Sequence, residues 1–414
     1  MIKLHEMDNT KPKLWILTEL FYPDQTSTSF IISKIADKMA DKYDVMVITD
    51  SYLYQENKFS AISKFQINKE IKVLRVKSKK SDKNNLVQRT GKVTSLSFKL
   101  AKALWKNACE GEKVLIVTNP APLLVLLSCI KKIKKFQLYV LVYDVFPENT
   151  IPSGIFKSCN SILYKIISSI FNRAYSVADG LIVLGRDMKK VVEVKVKDAK
   201  RKPSVKIIEN WADIEGIRPY TEKPEILKER YKDSFITIQY AGNIGRVQGL
   251  ERFLALFNLS SNKHLYFDLW GNGALFDQLN NWAIMHKIDN RVHFHGSYSR
   301  EDQNEILNST DLAIVTLSKG MYGLGVPSKT YNILAAGKPI LFIGDLDSEI
   351  ALLIKEEEIG FCFSPEDDEG TINFLNSLTV DFLPELEAKG RKARIVAERQ
   401  FSEEKILSKY LEMI

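Results

Sequence analysis

The sequence is short of the residues that build disulfide frameworks and metal centres. It has only four cysteines and five histidines in 414 residues. The cysteines are Cys109, Cys129, Cys159 and Cys362, and they form no CxxC pair and have no histidine at metal-ligand spacing. This scatter argues against a disulfide framework and a zinc site, and it fits a reducing cytoplasm. His293 and His295 alternate along a predicted strand and point the same way; a metal pair is one explanation, but we favour two partly buried strand residues.

Long uninterrupted hydrophobic segments are also missing. Residues 1–13 are polar and charged, so they do not resemble a signal peptide. The longest apolar stretch, Val114–Ile130, is interrupted by Asn119, Pro120 and Pro122. It therefore predicts a strand, a loop and a helix rather than a membrane span. We expect a cytoplasmic protein.

Acidic residues are scarce in the first half of the chain. Residues 1–220 hold 38 Lys and Arg against 22 Asp and Glu, whereas the remainder holds 21 against 29. This excess predicts an anionic partner for the first half: a membrane surface, a lipid pyrophosphate or a nucleic acid. The basic clusters lack the interleaved aromatic residues that stack on bases, so we expect no nucleic-acid partner.

Short apolar runs alternate with helical patterns in two successive series. The predicted strands are Leu14–Thr18, Val45–Thr49, Val73–Val76, Val114–Thr118, Leu138–Val142, Gly180–Val183 and Val205–Ile208, then Ile236–Tyr240, Leu265–Trp270, Val292–His295, Leu312–Thr316 and Ile340–Ile343. Such alternation predicts an α/β protein with two Rossmann-like, doubly wound domains facing across a cleft. We place the boundary between the two domains at residues 210 and 211, so that the first spans 1–210 and the second 211–400. Residues 401–414 are expected to form a helix that packs back toward the first domain.

The segment 323–339 is the most informative part of the chain. A glycine-rich loop containing Gly325 ends at a proline, and a helix starts at Ser328-Lys329-Thr330. Unpaired backbone N–H groups and the helix dipole favour a phosphate at such a start, and Lys329 adds a full positive charge. Taken alone, an ordinary helix start in an α/β domain explains the segment equally well.

Two further glycine turns follow predicted strands of the second half. The first turn contributes Gly242, Asn243, Gly245, Arg246 and Gln248, and the second contributes Gly271 and Gly273. The first is G-x-x-G-x-x-x-G, which differs from the dinucleotide fingerprint, so NAD binding is not supported. Because ligands bind beyond the carboxyl ends of parallel strands, the three turns predict one nucleotide site, with Arg246 on phosphate oxygens.

In the first half, the acidic residue that we single out also lies just after a predicted strand. Asp144 follows the strand Leu138–Val142, where it can act as a base, orient an acceptor hydroxyl, or merely cap the next turn. The hydroxyl-rich residues 26–29 follow the first strand. They can hydrogen-bond a sugar or phosphate, or cap the following helix.

Together these motifs resemble the family 4 glycosyltransferases, retaining enzymes of the GT-B architecture. The resemblance is closest to the bacterial branch that builds capsule, O-antigen and colanic-acid-type polysaccharides, including amino-fucose transferases. The matching segments are 21–23, 118–122, 144–148, 210–213, 242–249 and 326–331. The resemblance implies a nucleotide diphosphate sugar donor, expected to be a UDP-sugar, and an undecaprenyl-diphosphate-linked saccharide acceptor. It also implies that residues 1–210 bind the acceptor and residues 211–400 bind the nucleotide sugar, with no cofactor. The basic first domain would then face the acceptor and the cytoplasmic side of the inner membrane.

Three positions depart from the wider family. Asn332 stands where its ribose-binding glutamate is expected, Gln248 replaces a lysine, and Tyr143 replaces a histidine. An amide binds a ribose hydroxyl more weakly than a carboxylate. Two alternatives therefore stay open: a nucleotide-sugar 2-epimerase of the same architecture, and a non-catalytic assembly subunit.

Two further expectations concern metal and membrane. We expect no D-x-D doublet at a strand end, and hence a donor site without a metal. Residues 155–175 are apolar on much of their predicted helical surface, with Lys157, Lys165 and Arg173 among them. They predict either a helix that lies on an anionic membrane or a core helix, which we favour.

Overall fold

The first half of the chain forms a parallel sheet with helices on both sides. The computed structural model describes residues 11–24, 26–51, 67–78, 86–222, 224–232 and 234–414. Within those residues seven strands pair in the order β3-β2-β1-β4-β5-β6-β7. They are β1 Lys13–Leu17, β2 Asp44–Asp50, β3 Lys72–Val76, β4 Lys113–Val117, β5 Gln137–Val142, β6 Gly180–Val183 and β7 Ser204–Ile207.

A second parallel sheet repeats this arrangement. The described part of it has six strands in the order β10-β9-β8-β11-β12-β13. They are β8 Ile236–Ala241, β9 Leu265–Trp270, β10 Val292–Gly296, β11 Leu312–Thr316, β12 Ile340–Ile343 and β13 Gly360–Phe363. In each sheet the order reverses next to the first strand, which creates a crevice beyond the carboxyl ends of the strands. The prediction of two Rossmann-like domains of GT-B type is confirmed.

Helices cover both sheets. In the first domain they are α1 Ser27–Met39, α2 Leu86–Asn107, α3 Pro122–Lys134, α4 Ile162–Val177 and α5 Arg186–Lys195. The helices after residue 210 are α6 Glu225–Lys232, α7 Leu250–Leu259, α8 Phe276–Met285, α9 Gln303–Asn308, α10 Lys329–Ala335, α11 Glu349–Glu357, α12 Asp368–Ser377, α13 Leu383–Gln400 and α14 Glu403–Met413. No helix in the described ranges has the length and hydrophobicity needed to cross a bilayer.

The predicted strands are observed within one residue at each end, but β13 was missed. This edge strand is only four residues long, and its short run Phe361-Cys362-Phe363 gives no periodicity that separates a strand from a helix. Among residues 26–29, Thr26 acts as a helix cap, because its side chain accepts a hydrogen bond from the backbone N–H of Ser29. The capping explanation is confirmed for Thr26.

The last helix joins the two domains. α14 packs on α1, where Lys34 lies 2.8 Å from Glu403. The backbone N–H of Ala212, in the linker, donates to the carbonyl oxygen of Phe401 at 2.8 Å. The ring of Phe401 in turn packs edge-on against Tyr331 of α10, with ring centroids 4.9 Å apart. The chain end therefore ties α10 to the first domain.

One packing prediction was wrong. The segment 155–175 is not a core helix: turns precede α4, and its apolar side chains face outward. Ile162, Leu163, Ile166 and Ile170 are between 43% and 78% exposed. A core helix would bury these groups, so the core alternative is wrong, and the alternative of a helix that lies on an anionic membrane stays a prediction.

Candidate functional site

Two glycine turns brace each other at the carboxyl ends of β8 and β9. The backbone N–H of Gly242 donates to the carbonyl oxygen of Trp270 at 2.8 Å, and that of Ile244 donates to Asn272 at 2.9 Å. A Cβ at Gly271 would lie 1.8 Å from the carbonyl oxygen of Gly242, and one at Gly273 would lie 2.2 Å from that of Ile244. Both glycines are therefore required by backbone-to-backbone packing. They shape the crevice wall whether or not they touch a ligand.

Lys329, the first residue of α10, places its side chain against this wall. Its stem passes Gly242, where a Cβ would lie 3.5 Å from the lysine Cδ. Its Nζ lies 3.2 Å from the ring centroid of Tyr240. The residue is only half-buried, but its Nζ is buried and has no hydrogen-bond partner among the described residues. Burial without a counter-charge holds the pKa of Lys329 well below its usual value.

The loop before α10 crosses to the first domain. The backbone N–H of Val145 donates to the carbonyl oxygen of Leu324 at 3.1 Å. A Cβ at Gly325 would lie 3.3 Å from the carbonyl oxygen of Tyr143 and 3.7 Å from Asp144 Oδ1. The structure therefore brings Gly325 and Asp144 together from opposite domains, about 180 residues apart in sequence.

Asp144 lies half-buried at this junction. Asn119 donates to its Oδ2 at 2.9 Å, and the backbone N–H of Asp144 donates to Thr118 Oγ1 at 3.2 Å. Burial raises the pKa of Asp144, and the hydrogen bond from Asn119 partly opposes that shift. Beside it, the Tyr143 hydroxyl is buried and unpartnered among the described residues.

The other predicted donor-site residues fall into two groups. Gln248 Oε1 and Thr330 Oγ1 are buried polar atoms without a partner in the described part of the chain. Buried polar atoms are normally hydrogen-bonded, so such orphans suggest a missing ligand or water. Asn243, Arg246 and Ser328 are exposed, and Gly245 is packed beneath the side chains of Asn243 and Gln248. For Arg246, the described residues contain no ion-pair partner.

Asn332 is engaged elsewhere. Its side-chain oxygen accepts a hydrogen bond from the backbone N–H of Asp213 at 3.1 Å, and its amide nitrogen donates to Gln303 Oε1 at 3.4 Å. In this structure the residue ties α10 to the interdomain linker. A ribose contact from Asn332 stays a prediction.

Sequence reasoning missed two residues, Tyr240 beside Lys329 and Arg300 at the domain boundary. The Tyr240 ring supports Lys329, and its hydroxyl donates to the carbonyl oxygen of Asn243 at 2.6 Å. Arg300 stacks across the domain boundary on Phe30 of α1, with its guanidinium carbon 3.5 Å from the ring centroid. Its Nε is buried without a partner in the described part, and burial lowers its pKa. The sequence could have indicated Tyr240, because this residue lies at the end of a predicted strand. It held no signal for Arg300, whose contact with Phe30 depends on the tertiary fold.

The expectation about acidic doublets was wrong. Asp345 and Asp347 form a D-x-D doublet directly after β12, and both are exposed. Their hydrogen bonds in the described part of the chain are local: the backbone N–H of Asp347 donates to Asp345 Oδ1 at 3.0 Å, and the Ser348 hydroxyl donates to the carbonyl oxygen of Asp345 at 2.7 Å. The metal-free donor site therefore cannot be argued from a missing doublet and must be tested directly.

Comparison with known proteins places this geometry in a family. Residues 222–392 match the model for glycosyl transferases group 1. The chain is 31% identical over 400 residues to a Pseudomonas aeruginosa protein named probable glycosyltransferase WbjE, covering 96% of each chain. Over 201 residues it is 26% identical to the Escherichia coli K12 protein named putative colanic acid biosynthesis glycosyl transferase WcaI, covering 48% of this chain and 46% of the other.

A solved structure supports the same architecture. Anabaena HepE, crystallised with UDP, superposes with a TM-score of 0.67 at 15% identity, covering 97% of this chain and 99% of HepE. Because identity this low shows the fold alone, the family assignment depends on the sequence matches. With the two-domain fold, the bridged crevice and a full-length relative at 31% identity, the chain belongs to the group 1 glycosyl transferases and is a glycosyltransferase.

Proposed function

We propose that the protein transfers a sugar from a UDP-sugar to a lipid-linked saccharide, with retention of configuration and no metal at the donor site. The observation that carries the donor half is the buried, unpartnered Nζ of Lys329 beside the turn at Gly242. A buried ammonium group without a counter-charge is costly, and a diphosphate would supply the missing charge. The UDP in HepE, which has the same fold, and the polysaccharide name of WcaI support the substrate classes.

The donor diphosphate is assigned to the space between the start of α10 and the turn at Gly242. There Lys329 and Arg246 neutralise the charge that develops on the diphosphate as its bond to the sugar breaks. Preorganised cations stabilise this leaving group without rearranging during the reaction. The further donor contacts are assigned to Gly242, Asn243, Gly245, Gln248, Gly271, Gly273, Gly325, Ser328, Thr330 and Asn332.

Asp144 faces the donor loop from the acceptor domain. We assign it to orienting the acceptor hydroxyl, with Asn119 holding the carboxyl group at 2.9 Å. Burial raises the pKa of Asp144 above its usual value. A higher pKa makes a carboxylate a better proton acceptor near neutral pH, so the same group can receive the hydroxyl proton late in transfer.

Neither alternative function has comparable support. Membership of the glycosyl transferases favours sugar transfer over 2-epimerisation, and it removes the main argument for a non-catalytic subunit. That argument depended on Asn332 in place of the family's ribose-binding glutamate, a change that does not affect the two cations of the donor crevice, Lys329 and Arg246. Incubation of UDP-sugars without acceptor is expected to yield no epimerised nucleotide sugar.

A thermal-shift screen tests the donor half. A ligand that binds only the folded state raises stability by mass action. We expect UDP and UDP-sugars to raise the unfolding midpoint more than GDP, ADP, CDP or their sugars. A selective shift by another base would reassign the donor, and no shift by any of them would overturn the site. Adding EDTA is expected to leave the UDP shift and transfer unchanged, whereas a loss of both that Mg²⁺ or Mn²⁺ restores would refute the metal-free donor site.

Arg246→Ala should weaken this nucleotide response. The guanidinium is exposed and without an ion pair in the described structure, so its removal should cost little stability. Loss of a phosphate-binding cation should lower kcat/KM by on the order of a hundredfold. Arg252→Ala is the matched control, since Arg252 is a similarly exposed arginine that pairs with Asp368 at 2.7 Å. Equal activity in the two variants would remove Arg246 from the site.

The first domain, to which we assign acceptor binding, is expected to contact an anionic membrane surface. The exposed face of α4 combines Ile162, Leu163 and Ile166 with the basic residues Lys165 and Arg173. α4 packs against α3, which adds Ile133, 68% exposed, and a lysine-rich last turn. Apolar side chains flanked by basic ones are typical of helices that lie in the bilayer interface. The positive charge of the first half provides attraction over longer range.

Liposome flotation should detect this contact. We expect binding to vesicles containing anionic lipid, weakened by salt and by the double change Ile162→Gln, Leu163→Gln. Losing two large exposed apolar groups should reduce partitioning at least tenfold. Ile284→Gln, at an isoleucine 52% exposed in the second domain, should leave binding unchanged. Flotation without salt dependence, or equal loss in both variants, would refute the assignment.

A further inference from the structure

Two histidines and an aspartate meet at the edge of the second sheet, outside the donor crevice residues. Asp268 on β9 is only 3% exposed. Its Oδ1 lies 3.1 Å from His293 Nδ1 and 3.2 Å from His295 Nε2, both on the neighbouring strand β10. One potential ligand atom from each residue lies within 4.8 Å of the other two. We propose that this cluster binds one divalent transition-metal ion, with Zn²⁺ as the preferred ion.

The local fold explains how both imidazoles reach the same carboxylate. His293 stands directly opposite Asp268 in the strand register, whereas His295 is the extra residue at an irregularity between Phe294 and Gly296. Such a bulge changes the direction in which a side chain points. The sequence spacing alone suggested only a parallel pair of histidines, because the third ligand comes from a strand 25 residues away.

Aromatic rings hold the imidazoles in place. Trp270 stacks on His295 with ring centroids 4.1 Å apart and planes inclined by 9°. Tyr266 packs on His293 at 5.5 Å. Fixed rings reduce the entropy lost when a metal binds, which is the usual role of residues around a metal site.

The geometry suits a small tetrahedral ion. With Zn–N and Zn–O bonds of about 2.0–2.1 Å, neighbouring ligand atoms in a tetrahedron lie about 3.3 Å apart. The two distances to Asp268 are within a few tenths of an ångström of that value. The histidine side chains are 34% and 29% exposed, which leaves a path for the ion and a fourth position for water. Two imidazoles and a carboxylate are ligands that zinc prefers.

Metal binding at this cluster would stabilise the fold of the second domain next to the Gly271 turn. Trp270 ends β9 and immediately precedes Gly271, whose turn braces Gly242. A metal held by Asp268, His293 and His295 would join the edge strand β10 to β9 beside this turn. The site is independent of the proposed sugar transfer, because none of its three ligands is assigned to donor or acceptor.

Metal titration of the untagged, full-length protein tests the proposal. After EDTA treatment and dialysis, calorimetry with Zn²⁺ should give one site with a dissociation constant on the order of 1 μM or tighter. Excess Zn²⁺ should raise the unfolding midpoint by a few degrees. Co²⁺ should give the visible absorption bands of a four-coordinate ion. His293→Gln and His295→Gln should each weaken Zn²⁺ binding at least hundredfold and abolish the Co²⁺ bands.

His286→Gln is the matched control. His286 is also exposed and stacked on a tryptophan, Trp282, at 3.7 Å, but the described residues give it no carboxylate partner. Its variant should bind Zn²⁺ as the wild type does. Zn²⁺ affinity and Co²⁺ spectra unchanged by both site variants would overturn the proposal, as would a wild type without Co²⁺ bands. That spectrum decides the matter even if a site variant fails to fold.

Discussion

Lys329→Ala is expected to lower kcat by about a hundredfold or more, the scale of a lost charge-stabilising donor in the transition state. Its Nζ is the buried, unpartnered cation beside the Gly242 turn. Because burial holds its pKa well below the usual value, the amine loses its proton at a lower pH than an exposed lysine does. A bound diphosphate would raise that pKa again. Between these two pKa values, donor binding should therefore take up a proton.

Calorimetry in buffers of different ionisation enthalpy measures this uptake. UDP binding should show proton uptake in the wild type and less in Lys329→Ala, and affinity should fall as pH rises between the two pKa values. A purely structural lysine would not produce this difference. Lys319→Ala is the control, since Lys319 lies in the loop before α10 and pairs with Glu366 at an exposed site. Near-normal turnover in Lys329→Ala, or unchanged proton uptake, would contradict the assigned role.

The sequence was sufficient for the fold because its local signals agree with its long-range structure. Fully buried strands appear as continuous apolar runs, such as Gly180–Val183 and Ile340–Ile343. The glycine turns could be placed at strand ends, and parallel strands bring such ends to one edge. The start of α10 at Lys329 also followed from local chemistry, since Pro327 and Gly337 delimit the segment.

The features that the sequence did not predict depend on which surfaces pack together in the folded protein. An apolar helix has the same sequence signature whether its apolar face meets a sheet or solvent, so the exposure of α4 could not be foreseen. Asn332 was assigned to ribose from its position, but the fold brings it within 3.1 Å of the Asp213 backbone. Arg300 and Phe30 are separated by 270 residues in the sequence and meet only in the folded protein. Such contacts are set by tertiary packing.

Gly271→Ala should destabilise the second domain by on the order of 3–5 kcal/mol and abolish UDP binding. The added Cβ would lie 1.8 Å from the carbonyl oxygen of Gly242, and the residue has a φ of +125° that side chains rarely adopt. The opposing atom is backbone, and the N–H of Gly242 is itself bonded to Trp270. No side-chain rotation can relieve the clash, so the two turns must separate.

Urea unfolding, followed with and without UDP, measures both effects. Gly296→Ala separates the clash from the backbone strain: Gly296 also has a positive φ, +76°, but a Cβ there would meet nothing within 4 Å. It should cost only about 1 kcal/mol and keep UDP binding. The difference in the free energy of unfolding between the two variants therefore measures the steric clash between the two turns. If Gly271→Ala were as stable as Gly296→Ala, the braced turns could not be what shapes the donor crevice.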